Sequence, residues 1–273
     1  MEVFHQLQFA GSTLAMTLHR PVEEPSAVQE FARKCPVVVI CHGFVGNRIG
    51  VNRLFVTTSR LLEQAGFLVV RFDYAGCGES TGDYGALGLS SMIEQTHCVL
   101  DYVYSLDGVD TEELTLLGHS LGGAVAVLTA NSDPRVKNLI LWSAVAHPFE
   151  EITAITGSDV QNDCYRLGTT CYLGYDLTPS YFDSLLAHDP LEAAKHFTGR
   201  TLVVHGTSDE EIPVSNCSRY LDAFGSNSRT CRVEVLREAD HTYSTGCSSE
   251  DLRRLTLDWL NAVRHPQERH TTR

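Results

Sequence analysis

A serine, an aspartate and a histidine that could act together in acyl chemistry each follow a strand-like run in this chain. The serine is Ser120, set in Gly118-His119-Ser120-Leu121-Gly122-Gly123 between the apolar run Leu114–Leu117 and an Ala/Val/Leu-rich stretch reaching Ala130. Glycines on both sides of one serine allow a sharp turn and close approach of neighbouring chain. G-x-S-x-G between strand and helix is the pattern that pushes a serine hydroxyl out at the end of a strand. A Gly-rich loop with a capping serine would look the same over five positions, so Ser120 needs partners.

In open parallel α/β sheets, ligands bind beyond the carboxyl ends of the strands, which gives a filter for those partners. His42-Gly43-Phe44 follows the first buried run, Asp73-Tyr74 the second and Ser120 the third. Asp209 follows Thr201–His205, and His241 follows Cys231–Leu236. Ser120, Asp209 and His241 therefore converge on one sheet edge, in the chain order Ser…Asp…His expected of such an elbow. A neutral hydroxyl is a poor nucleophile, so a base must take its proton as a carbonyl is attacked. His241 fits that role, with Asp209 to fix its tautomer and stabilise the imidazolium. Leu121, immediately after the nucleophile, would offer one backbone N–H to the developing oxyanion.

Other readings stand beside these. Asp209 could cap a helix near Pro213, and Glu210 or Glu211 could serve as the acid instead. The Asp240 side chain is expected to point away from its neighbour His241. His119 reads as a packed or hydrogen-bonded neighbour, His42 as loop-shaping and His205 as structural. Asp73 should anchor a loop by accepting backbone hydrogen bonds. Cys77 has nothing nearby to depress its pKa and reads as structural.

The elements that must position these residues alternate. Val3–Phe9 and Thr13–Leu18, around Ala10-Gly11-Ser12, predict an N-terminal β-hairpin. Pro36–Cys41 is continuously apolar, as in a strand buried on both faces of a parallel sheet. A helical pattern through Leu54, Leu61 and Leu62 follows. Then come strand 67–72, helix 89–106, strand 114–117, helix 121–130 and strand 136–142. From His147 to Asp189 the rhythm breaks, with polar, Gly- and Tyr-containing patches and no clear strand. It resumes with helix 190–197, strand 201–205, helix 215–224, strand 231–236 and helix 249–263. This predicts a mostly parallel, doubly wound α/β sheet, with residues 1–146 and 190–264 as core. Residues 147–189 form an inserted cap, and 265–273 a frayed polar tail.

Composition narrows the class. With 273 residues and 43% hydrophobic content the chain can bury a large core. A net charge of −13 argues against nucleic acid and against anionic membrane surfaces. The N-terminus lacks a signal-peptide pattern, and no run approaches the roughly 18 apolar residues of a spanning helix. Nine scattered cysteines without C-x-x-C spacing suggest a reduced, cytoplasmic protein, with thiols such as Cys41 and Cys98 buried. No metal site and no cofactor are expected, since no H-x-x-x-H pattern occurs. A small-molecule ester is the expected partner. Nothing marks an oligomeric state, and a homodimer is the form kept open.

Beyond GHSLGG, the segments "ICHGFVGNR", "RFDYAGCGES", "HGTSDEEIP" and "EADHTYS" resemble α/β-hydrolases over nearly the whole length. Among these the chain is most similar to bacterial feruloyl/cinnamoyl esterases and their neighbours. The resemblance implies the α/β-hydrolase fold, a catalytic Ser120–His241–Asp209 triad, and Phe44 as the second oxyanion donor beside Leu121. It implies a serine esterase working through an acyl-enzyme; a preference for aryl or hydroxycinnamoyl esters is expected from the tyrosines between His147 and Asp189, one of which should line the acyl pocket. Thioesterase, amidase or peptidase, C–C hydrolase, acyltransferase and ligand-binding readings use the same framework. Tyr165, Tyr172 and Tyr175, within the cap, are the expected substrate-binding rings.

Overall fold

The computed structural model describes residues 1–21, 34–225 and 230–264. In chain order the strands are β1 (Glu2–Phe9), β2 (Ser12–His19), β3 (Cys35–Cys41), β4 (Leu68–Phe72) and β5 (Val109–His119). They continue with β6 (Asn138–Trp142), β7 (Thr170–Tyr172), β8 (Tyr175–Leu177), β9 (Arg200–Gly206) and β10 (Thr230–Leu236). The helices are α1 (Leu54–Gln64), α2 (Tyr84–Tyr104), α3 (Leu121–Ser132), α4 (Pro148–Thr156) and α5 (Ser158–Leu167). They end with α6 (Pro179–Leu186), α7 (Pro190–Ala194), α8 (Asn216–Phe224) and α9 (Gly246–Arg264).

A strand with no polar face has to lie inside a sheet covered on both sides. Strand β3 does so: Val37, Val39 and Cys41 feed one apolar layer, and Val38 and Ile40 feed the opposite one. The eight strands run in the order β1-β2-β4-β3-β5-β6-β9-β10. Pairing is antiparallel for β1/β2 and β2/β4 and parallel from β4 onward. The register sets Val38 between Val69 and Thr115, so the strands feeding the site end at a common edge. Helices α2, α3 and α8 cover one face, while α1 and α9 cover the other through Leu54, Phe55, Leu252 and Trp259. The α/β-hydrolase fold expected from the sequence is the fold observed, N-terminal hairpin included.

Three details differ from expectation. Strand β5 begins at Val109 rather than Leu114, because residues 110–113, between the buried Val109 and the apolar run, are polar and partly exposed and carry no apolar signature. Between β6 and β9, where the sequence shows no clear strand, β7 and β8 form a two-stranded antiparallel hairpin. Each is three residues long, too short for a period-2 pattern to be visible. Cys98 is half-exposed on α2 rather than buried, its thiol near Gln8 O at 3.8 Å. The polar tail 265–273 lies outside the described residues. Among the described residues no helix is long and apolar enough to cross a membrane.

Candidate active site

A single residue, Ser120, separates β5 from α3. It sits at φ 56° and ψ −125°, a strained conformation for a residue with a side chain. Strain of this kind costs about 1–3 kcal/mol and persists only where the surroundings hold it. Here Ser120 N donates to Trp142 O at 2.9 Å, and Val145 N donates to Ser120 O at 3.1 Å. The turn also needs Gly122, since a Cβ there would lie 2.2 Å from Cys41 O and 2.5 Å from His42 O. Helix α3 then enters the core with Leu121 to Val127 all buried, which fixes its N-terminus under the serine.

Asp209 and His241 arrive from the loops after β9 and β10. Asp209 Oδ2 accepts from His241 Nδ1 at 2.8 Å. Its Oδ1 accepts from Glu211 N at 3.0 Å and Ile212 N at 2.8 Å, so the same carboxylate also shapes its own turn. Burial pushes the Asp209 carboxyl up, but hydrogen bonds from His205 and His241 outweigh it and hold it well below the ordinary carboxylate range. Glu211 lies on the other side of the ring, its Oε2 3.6 Å from His241 Nε2, and is half-exposed. Of the three acids weighed, Asp209 is the one at Nδ1. Ser120 and His241 line the same cavity, and no hydrogen bond joins their side chains. In enzymes without substrate that bond is often long or poorly aligned.

His205 was expected to be merely structural, yet its Nε2 lies 3.0 Å from Asp209 Oδ2 and 3.0 Å from Ile212 O. Two histidines thus share one carboxylate oxygen. The spacing His205…Asp209 in "HGTSD" was the available signal. His119 Nε2 donates to His241 O at 2.8 Å, supporting the backbone of His241. Asp240 bonds Ser244 and points away, as expected. His42 shapes its loop by donating Nδ1–H to Gly43 O at 2.9 Å and accepting Tyr74 N at Nε2. Asp73 accepts from Arg48 N and Glu79 N, the anchoring role the sequence suggested. Burial pushes the Cys77 thiol up to about 12, which leaves it unreactive.

The loop after β3 passes directly over the serine. A Cβ at Gly43 would lie 2.9 Å from Ser120 Cβ, so only glycine fits there. Phe44 follows at once, bringing its backbone beside the elbow. The cavity below this loop measures about 730 Å³. Ser120, His119 and His241 meet apolar walls from Phe44, Val51, Leu54, Phe55, Ala154 and Ile155, and Glu210 and Glu211 stand in its lining.

Of the three expected substrate tyrosines, Tyr172 lines this cavity, its ring stacked on Phe44 at 5.6 Å. The other two require correction. Tyr165 is 47% exposed and donates to Asp183 on the outer surface. Tyr175 packs edge-on against Tyr84 at 5.5 Å, outside the cavity lining. With Tyr181, whose hydroxyl meets that of Tyr84 at 2.9 Å, it fastens the 147–189 segment to α2. Aromatic rings were needed there as packing, a use that composition does not distinguish from substrate contact. Among the described residues no group of three or more His, Cys, Asp or Glu is arranged to hold a metal ion.

Fold and site geometry together define an α/β-hydrolase-fold protein with an elbow serine. A family model described as serine aminopeptidase, S33, matches residues 32–163, just under half of the chain. The chain is similar to an uncharacterised 31.7 kDa protein in the traX-finO intergenic region of Escherichia coli. That match is 34% identical over 113 residues, 41% of this chain and 38% of the relative. The lysophosphatidylserine lipase ABHD12 of Xenopus tropicalis is 34% identical over 240 residues, 82% of this chain and 57% of its own. The chain therefore spans less than two thirds of the length of these curated relatives. Among solved structures, Est1E from Butyrivibrio proteoclasticus with bound ferulic acid superposes with a TM-score of 0.77. It is 23% identical, with 94% of this chain and 99% of that one covered.

Proposed function

We propose that the protein is a serine hydrolase that cleaves carboxylic esters through an acyl-enzyme. The observation that carries this reading is the strained Ser120 elbow opening on a cavity shared with an Asp209-bonded His241. Ser120 Oγ attacks the ester carbonyl carbon as His241 Nε2 takes its proton. The oxyanion is met by the N–H groups of Leu121 and Phe44, each donor worth roughly 3–4 kcal/mol in such sites. The leaving alcohol takes the proton from His241. Water, activated by the same imidazole, then releases the acid.

Residues 147–189 act in this reading as a cap, closing the apolar side of the cavity with Ala154, Ile155 and Tyr172. The Tyr172–Phe44 ring pair supports a flat aryl or hydroxycinnamoyl acyl group, which gains from offset stacking. The likeness to Est1E, which binds ferulic acid, points the same way. The aminopeptidase description of the matching family model favours a second reading, amide cleavage by the same residues.

The test compares parent and Ser120→Ala on p-nitrophenyl acetate, a hydroxycinnamoyl ester and an aminoacyl p-nitroanilide, with fluorophosphonate labelling alongside. Ser120→Ala should abolish labelling and lower ester kcat by at least about 10⁴-fold. A folded alanine variant retaining a tenth of the parent's activity overturns the nucleophile assignment. Faster anilide than ester turnover replaces the esterase reading with the amidase one.

A further inference from the structure

The loop that carries Phe44 is under strain. Val45, a β-branched residue, sits at φ 43°, a region such residues rarely enter. Its internal bonds are few and of ordinary length: His42 Nδ1 to Gly43 O at 2.9 Å, Gly46 N to Gly43 O at 3.2 Å, Ile49 N to Asn47 Oδ1 at 2.9 Å and Gly50 N to Asn47 O at 3.2 Å. Something outside the loop has to hold it.

The end of β4 and the residues just beyond it do so at both ends of the loop. Before the strained turn, Tyr74 N donates to His42 Nε2 at 3.1 Å. After it, the backbone of Arg48 is gripped on both sides. Arg48 N donates to Asp73 Oδ1 at 2.5 Å, and Arg48 O accepts from Arg71 Nη1 at 3.1 Å. The Arg48 side chain then folds back, with Nη1 donating to Asp73 Oδ2, Nη2 to Glu79, and Nε to Thr17 Oγ1 at 3.4 Å. Arg71 is in turn seated on His19 Nε2 at 2.9 Å. Arg48 is 7% exposed and Asp73 fully buried. Burying such a pair costs desolvation that its attraction scarcely repays, so net stability is a poor explanation for it. Geometry is a better one, because the pair and its backbone bonds fix the loop next to the serine.

We infer that Arg48 and Asp73 are positioning residues of the oxyanion hole, holding the strained Gly43–Asn47 segment so that Phe44 N–H stays aimed at the site above Ser120. This deepens the proposed function and rests on Ser120 being its nucleophile. Neither residue touches the substrate. Their effect passes through a donor whose misplacement by about 1 Å suffices to slow chemistry roughly 100-fold.

The test uses Arg48→Met, which removes the charge but keeps the stem, and Arg48→Lys, which keeps the charge but loses the fork. Rates on p-nitrophenyl acetate are divided by the number of serines titrated to completion with a fluorophosphonate, so misfolded molecules are not counted. Arg48→Met should lower kcat per titrated serine about 10- to 100-fold with KM within about threefold, and Arg48→Lys should fall between it and the parent. Adding Val45→Gly to Arg48→Met relieves the strained φ and should recover at least about threefold of the lost kcat. Should Arg48→Met fail to fold, the Lys variant carries the test. A kcat per titrated serine within about twofold of the parent in every folded Arg48 variant, whatever the melting temperature, overturns the inference. That result alongside an inactive Ser120→Ala leaves the proposed function standing, whereas activity surviving in Ser120→Ala removes both.

Discussion

At the scale of residues, side-chain type and contact do not by themselves make a site. Ser132, His97 and Asp133 also touch in order, His97 Nε2 lying 3.0 Å from Ser132 Oγ and Nδ1 3.3 Å from Asp133 Oδ2. That serine lies at the end of α3, and its aspartate is taken up by Arg135. What sets Ser120 apart is the strained turn, the loop above it and the cavity beside it. His205 is the informative addition, since it shares Asp209 Oδ2 with His241. Removing its donor in His205→Leu should lower kcat roughly tenfold, while His205→Gln, which can still donate, should stay within about threefold of the parent. Asp209→Asn, which misdirects the imidazole itself, should cost about 10⁴-fold. Steady-state kinetics on a p-nitrophenyl ester decide this, and an unchanged His205→Leu makes His205 a packing residue only.

At the scale of elements, the elbow is a junction where β5, α3 and the loop after β3 meet at backbone distance. The expected outcome of Gly122→Ala follows from that contact, because the added methyl meets Cys41 O, which cannot swing away. It should destabilise the fold by about 3 kcal/mol or more, lowering the melting temperature near 6–12 °C, as calorimetry would read. The sequence disclosed this region well. Strand β3 from Pro36 onward, the Leu114–Leu117 run of β5 and the first two turns of α3 are buried on every side, and glycine spacing marks the turn. It disclosed the 147–189 segment poorly. Strands β7 and β8 pair only with each other, and rings such as Tyr175 and Tyr181 pack on α2 rather than on a cavity. The Arg48–Asp73 pair was also out of sight, because two polar residues far apart in the chain show no preference for each other until the sheet order brings β4 beside β3.

At the scale of the whole molecule, one buried imidazole beside the site, His119, makes the stability of the fold depend on pH. His119 is 9% exposed, and burial, with the neighbouring His241 adding to it, lowers its pKa from 6.5 to about 3. The unfolded chain therefore binds a proton below pH 6.5 that the folded one refuses until about pH 3. Its contribution is complete above the higher value and is lost as pH falls through that window. Urea unfolding at steps from pH 7.5 downward should show the parent losing about 1.4 kcal/mol per pH unit more than His119→Gln between those limits. Parallel slopes for the two proteins would remove His119 from the acid response. The order in which the chain is made adds a constraint in time. The loop after β3 and the Ser120 elbow are synthesised early, but His241, the base of the proposed mechanism, follows β10, which closes the far edge of the sheet. Until that edge docks, the growing chain carries Ser120 without His241 on the same cavity. In the proposed mechanism the nucleophile and its base therefore come together last, as a consequence of finishing the sheet.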